Sequence, residues 1–428
     1  MKNSGLLYLI VIPLFFIVNW IIKHFSLFYD FSSQIFLILN IFIILLILKH
    51  DVRLFIIFVA LTINFSYRIQ FSYLSITYLG FIYIYFIILF LYYLFLKKGI
   101  NIKEVRYLLL IIAYAIIISG DINIRSYLSY IFNLFGGFIV LIISYFVKDN
   151  NFRLSKSLLF IPLIFSPLII YEIIYRPNWG GIYNAGVFRI FGTNVWPNTY
   201  ALHIDIIIIF TLSMYFGTKK YLYLFLSLLY AIFLFHTYSR TGLLALVIGV
   251  VVIILLRGYC FKLNIANILS IVMIILMFFF FITKFPSSRL SNINRYALLG
   301  ERVNIWNDIM PQMSGHYFTG RGLGGYEEIR GDVERGLSAH NAYLNILSNI
   351  GVIGLIFYLI ILSYLLINIY KIMINSNEIN VKIFSRGTIA NIILMSIFGF
   401  VGEAPLMLQA TFIFWIILGF IYRYKGYV

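Results

Sequence analysis

The chain alternates long apolar runs with short polar breaks. Apolar runs of mostly 16–22 residues recur along its whole length, each long enough to cross a bilayer or nearly so. They predict membrane spans near 5–22, 32–48, 53–67, 77–96, 105–120, 128–147 and 157–175, then near 198–217, 221–238, 241–256, 265–283, 344–370, 387–402 and 407–422. Continuous runs of this kind exclude a β-barrel, which would alternate over about ten residues. The expectation is an all-α, polytopic membrane protein of fourteen helices, a single integral domain over 1–428. Two polar stretches interrupt the pattern, at 176–197 and 285–340, and the second is an island in an otherwise greasy chain.

Composition agrees: 62% of residues are hydrophobic and 11% charged, against roughly a quarter charged in soluble domains. The net charge of +17 does not call for nucleic acid, because cytoplasmic loops of membrane proteins collect Lys and Arg. With the N-terminus inside, the inner face receives nineteen basic residues, whereas the short outer loops hold only Lys23, Arg68, Arg125 and Arg240. Both termini are therefore expected in the cytoplasm, with the two long loops outside. Met1-Lys2 runs straight into an apolar segment, read as a retained helix and not a cleaved signal. The single cysteine, Cys260, excludes an internal disulfide framework and a multi-cysteine metal site.

Lysine and arginine then part company. Thirteen of fifteen lysines fall on the inner side, and eleven of seventeen arginines on the outer, eight of them in the two long loops. Topology alone does not distinguish the two residues. Arginine's planar fork grips phosphate in a bidentate manner, while lysine acts as a point charge. Anion binding on the outer face is one explanation for the excess. Pairing with Glu301, Asp308, Glu327, Glu328, Asp332 and Glu334 is the structural alternative, expected for about half of the loop arginines.

Several segments concentrate this chemistry. Arg240, in Tyr238-Ser239-Arg240-Thr241-Gly242, sits at the turn between two spans, as a phosphate ligand or a snorkelling anchor. Gly300 to Asp308 reads as the start of an amphipathic helix, with Trp306, Ile309 and Met313 on its apolar side and Arg302 near the interface. Thr319-Gly320-Arg321-Gly322-Leu323-Gly324-Gly325 is glycine-rich, a plain turn or a source of N–H groups for phosphate. His340, at the end of the long loop, is of the residue type suited to general-base work near neutral pH, though a lone histidine is usually structural. The first loop carries Arg176, Arg189, Trp179 and Trp196, the tryptophans fitting an aromatic belt or a sugar-stacking platform. Glu403 stands at an outer helix end, a polar candidate or an arginine counter-ion.

Taken together these segments resemble the O-antigen ligase/polymerase superfamily, which includes Wzy-type O-antigen polymerases. The resemblance rests on Ser239-Arg240-Thr241-Gly242 opening a span, Glu301-Arg302 with Trp306, and Gly320-Arg321-Gly322-Leu323-Gly324. It is completed by His340-Asn341-Ala342-Tyr343-Leu344 and Gly351-Val352-Ile353-Gly354-Leu355, covering about 195–370. The resemblance implies a GT-C-like, metal-independent glycosyltransferase without cofactor, on the periplasmic side of the bacterial inner membrane. It implies an undecaprenyl-pyrophosphate-linked oligosaccharide as substrate, membrane lipids around it, and a polysaccharide chain-length regulator as partner. Arg240 and Arg302 would bind the pyrophosphate and His340 would activate the acceptor hydroxyl. Arg189, Arg321, Asn341, Arg176 and Glu301 are the further substrate-binding candidates. Fourteen spans and the Ile/Phe/Tyr bias look more like a polymerase than a ligase acting on lipid A core. From another class, a lipid-linked oligosaccharide flippase would place ionisable groups near mid-membrane; His203 and Asp205 are the candidates there.

Overall fold

The structure is a computed structural model. It describes residues 124–147, 149–176, 181–184, 187–192, 194, 196–257, 300–323 and 340–424, together with Tyr114, Ala115 and Ile117. The expected spans from 5–22 to 105–120 lie wholly or largely outside these residues, as do the span at 265–283, Cys260 and the acidic residues 327–334.

Where the chain is described it is mostly helical, and the apolar runs account for the helices. Helix α1 covers Ile124–Phe146. A 3-10 turn at Asn150–Phe152 leads into three short helices, α2 (Arg153–Leu158), α3 (Ile161–Ile164) and α4 (Ser166–Tyr175). Pro162 and Pro167 cut this run because proline lacks the N–H that would continue a helix. Then come α5 (Pro197–Thr218), α6 (Tyr221–His236) and α7 (Arg240–Arg257). After them follow α8 (Gly300–Gln312), α9 (Ala342–Asn375), α10 (Ile379–Val401), a 3-10 turn at Ala404–Leu406 and α11 (Leu408–Tyr422). Four stretches are long and apolar enough to cross a membrane: 153–175, α5, α9 and α10. Parts of α1, α7 and α11 and the whole of α6 are shorter apolar helices. This is a helical membrane protein.

One element departs from an all-helical reading. Within 176–197 an antiparallel hairpin forms, β1 (Gly181–Asn184) against β2 (Val187–Ile190), with Ile182 opposite Arg189. A second departure concerns α10, which begins at Ile379, eight residues before the expected span. Lys382 and Arg386 lie on its first turns and not in a loop.

The helices pack tightly, and small residues allow it. Gly137 of α1 lies against the Trp415 ring of α11, and Phe138 meets that ring with centroids 4.9 Å apart. Polar side chains cross between helices as well: Ser213 Oγ donates to the Ile383 carbonyl (2.6 Å) and Asn391 Nδ2 to that of Ile206 (3.2 Å). Such bonds add about 0.6 kcal/mol each in membrane bundles.

These contacts define two ends of the bundle. At one, Ser213 reaches Ile383, Phe152 stacks on Phe384 and Tyr424, and Asn368 meets the Tyr422 hydroxyl. All described lysines lie toward it: Lys156, Lys219, Lys220, Lys371 and Lys382. At the other end the hairpin, the start of α5 and the end of α6 are bound together, and the starts of α9 and α11 meet the end of α10 and the start of α5. That end carries Arg176, Arg189, Arg240, Arg302 and His340.

Candidate active site

The arginine end is built from helix termini, whose last four N–H or C=O groups have no partner inside the helix. Arg189 shows what the sequence does with them. It projects from β2, is 8% exposed, and donates Nε to the Thr237 carbonyl (2.8 Å) and Nη2 to Asn198 Oδ1 (2.8 Å). One side chain thus ties the hairpin to the last turn of α6 and the first of α5. Glu172 of α4, which sequence reasoning passed over inside an apolar run, completes this corner. It is fully buried, and its carboxylate accepts from the Gly192 N–H (2.9 Å) just beyond the hairpin.

Arg302 is used in the same way. It stands half-buried on α8 and donates Nη1 to the carbonyl of Val401, the last residue of α10 (2.8 Å). A cation at a helix C-terminus satisfies an orphan carbonyl and complements the macrodipole. Beneath it, Ile305, Ile309 and Met313 form a small buried cluster with Trp306 and Leu344 packed against it. The inward stripe of α8 therefore runs through Ile305, with Trp306 at its edge. Glu301 lies on the first turn of α8; its side chain, like that of Asp308, is outside the described set.

Arg321 donates Nη2 to the Gln312 carbonyl (2.6 Å), closing the turn after α8. The neighbouring glycine-rich backbone is occupied too. The N–H groups of Gly320, Arg321 and Gly322 donate to the carbonyls of His316 (2.7 Å), Ser348 (2.9 Å) and Asn349 (3.0 Å). None of these three is turned toward a phosphate.

His340 precedes α9 in a left-handed conformation (φ 49°) and is half-buried. Such a backbone costs a non-glycine residue of order 1–3 kcal/mol and concentrates at working sites. Asn341 explains how it is held: its Oδ1 accepts from the N–H groups of Tyr343 (2.9 Å) and Leu344 (3.1 Å), an N-cap of α9. Tyr343 then donates its hydroxyl to the Ser396 carbonyl (2.7 Å), so the start of α9 is bolted to the end of α10 that Arg302 caps. His340 and Arg302 belong to one junction of α8, α9 and α10.

Arg240 differs from these. It opens α7, is half-buried, and among the described residues makes no hydrogen bond or ion pair. The turn before it is well fixed: Gly242 N–H donates to Ser239 Oγ (3.2 Å) and Ser239 N–H to Thr237 Oγ1 (3.2 Å). Thr237 is the residue whose carbonyl holds Arg189, so Arg240 and Arg189 share a corner. Arg176 is exposed at the left-handed C-cap of α4.

Two ionisable groups lie deep in α5. His203 is 2% exposed and Asp205 fully buried, with neither Asp205 oxygen hydrogen-bonded. A Cβ placed on Gly242 would come within 3.2 Å of Asp205 Oδ2, so glycine eases the close approach of α7 here. Among the described residues no three His, Cys, Asp or Glu side chains gather as metal ligands would.

No curated protein matches the chain. Residues 225–359 match the family model described as O-antigen ligase, and that stretch holds Arg240, Arg302, Arg321 and His340. The match supports the O-antigen ligase/polymerase superfamily, whose enzymes are of glycosyltransferase type, as the family to which this membrane protein is similar.

Proposed function

We propose that the protein is a surface-polysaccharide polymerase. It would transfer a glycan from undecaprenyl pyrophosphate to the non-reducing end of another lipid-linked repeat unit, with inversion, on the periplasmic side of the inner membrane. The observation that carries this reading is Arg240. The protein commits Arg189, Arg302 and Arg321 to its own carbonyls, while this half-buried guanidinium makes no hydrogen bond or ion pair among the described residues. A fixed cation beside a leaving pyrophosphate lowers the energy of the charge that develops there. His340 supplies the complementary function, taking the proton from the attacking sugar hydroxyl as the glycosidic bond to the carrier breaks. Arg302 in this reading orients the junction and meets the carrier, and Arg176 and Glu301 flank it. Metal-free, GT-C-like chemistry comes with the family resemblance, as does a chain-length regulator as partner.

The matching family model, described as O-antigen ligase, is equally consistent with a second reading, transfer of finished glycan to lipid A core. A flippase finds support in the buried Asp205 and in a break within α9 at Gly351. One experiment separates the three. Purified protein is given a synthetic polyprenyl-pyrophosphate oligosaccharide and the products are resolved on a gel, with His340→Ala beside it. A product ladder from the wild type alone supports the polymerase. Transfer only when lipid A core is added selects the ligase. Absence of transfer by folded protein in both conditions selects transport.

A further inference from the structure

Helix α9 is not continuous. Gly351 has φ 68° and ψ −174°, a region essentially closed to other residues, and it separates a half-helix, 342–350, from a longer one, 352–375. The loop 317–322 fills the gap. In an unbroken helix the carbonyls of Ser348 and Asn349 would accept from Val352 and Ile353. Here they accept from Arg321 (2.9 Å) and Gly322 (3.0 Å), while Val352 and Ile353 donate to Tyr317 (2.8 Å) and Phe318 (3.3 Å). Two helical bonds are replaced by four strap bonds. A Cβ on Gly351 would collide with the Phe318 carbonyl, so the strap fits only against glycine.

The break redirects the half-helix. Tyr343 and Tyr358 are fifteen positions apart, about 22 Å along a straight helix. Yet both line one narrow apolar cleft with Leu362, Met395 and Ser396, and the Tyr343 ring also packs tilted against Phe400 at 4.7 Å. His340 and its Asn341 cap ride on this redirected piece.

We propose that Gly351 is a positioning residue for His340: with the 317–322 strap it holds α9 in the broken form, and closing the helix would swing His340 away from the α10 terminus capped by Arg302. The proposal rests on the transfer reading for its effect on activity, but not for its geometry.

The test uses full-length protein lacking its native thiol (Cys260→Ser), with Tyr343→Cys and Tyr358→Cys added. A short bifunctional thiol reagent should join the pair. Gly351→Ala favours the continuous helix and should abolish the cross-link. Val352→Pro loses one strap bond but forbids the continuous helix, because proline at the first position of a helix is tolerated and in its interior is not; its cross-link should persist. In donor-transfer assays on the native-tyrosine background, Gly351→Ala should lower kcat at least tenfold with KM for the donor unchanged, and Val352→Pro should stay within about threefold of wild type. A folded Gly351→Ala protein that still cross-links overturns the proposal, as does Val352→Pro behaving like Gly351→Ala. If wild type transfers nothing but the cross-links follow this pattern, the transfer reading fails and the hinge stands.

Discussion

The two ends of the bundle carry the same sign of charge and use it differently. At the lysine end, Lys219, Lys220 and Lys371 are exposed, and Lys156 reaches a nearby carbonyl on an exposed turn (3.1 Å). An ammonium is a strongly hydrated point charge and is content in water. At the other end Arg189, Arg302 and Arg321 turn inward onto carbonyls at the margins of α6, α10 and α8. A rigid fork of donors suits helix ends, where several carbonyls lack partners. The comparison teaches that an excess of arginine on one face is not in itself a substrate site. Among the described outer arginines, Arg189, Arg302 and Arg321 serve as carpentry, holding helix-end carbonyls. Arg240, half-buried and without such a bond among the described residues, is the informative one.

The largest expected effect breaks the comparison at that residue. Arg240→Ala should reduce glycan transfer by roughly 10²- to 10³-fold with the melting temperature unchanged. Arg240→Lys should recover little of it, whereas Lys219→Ala at the opposite end should leave transfer intact. His340→Ala should lose roughly 10²- to 10⁴-fold, with donor binding preserved in a pull-down on the carrier lipid. Arg189→Ala should act through stability: it strands a buried carbonyl and Asn198, at about 1–3 kcal/mol, and detergent-phase melting should fall before activity does. Arg302→Ala should show both signatures, a lower melting temperature from the uncapped α10 and a further loss of transfer at temperatures where the fold is intact. The smallest effect belongs to Asn341→Ala, about 1 kcal/mol from a lost N-cap, with Asn341→Ser close to wild type. If Arg240→Ala and Arg189→Ala turned out alike, both destabilised and equally active per folded molecule, the distinction between the ends would collapse.

The apolar runs made the helices legible, because twenty consecutive apolar residues have few other fates. Boundaries failed where charge and helix coincide: Lys382 and Arg386 look like loop residues, yet they sit on the first turns of α10. The hairpin was not legible, since each strand has four residues and is set among Gly, Pro and Asn. Chemistry was legible by type and less so by task. The residues of the proposed site, Arg240, Arg302 and His340, were singled out by residue type and resemblance. That Asn341 caps a helix and that Gly351 interrupts one depends on backbone conformation, and Gly351 and Gly354 look alike in the apolar run although only Gly351 breaks the helix. Glu172 went unnoticed because its partner, the Gly192 N–H, is a backbone group twenty residues away that no sequence pattern marks.

The strap that divides α9 also bears on how the protein is made. Its partners are close in the chain: Arg321 bonds to Ser348 and Tyr317 to Val352, separations of about thirty residues, over which loop closure is entropically cheap. The strap is synthesised before the helix it divides, so its bonding groups are on hand when residues 348–353 of α9 emerge. The break is thus a local event in assembly, available to the nascent chain before α10 exists to receive Tyr343.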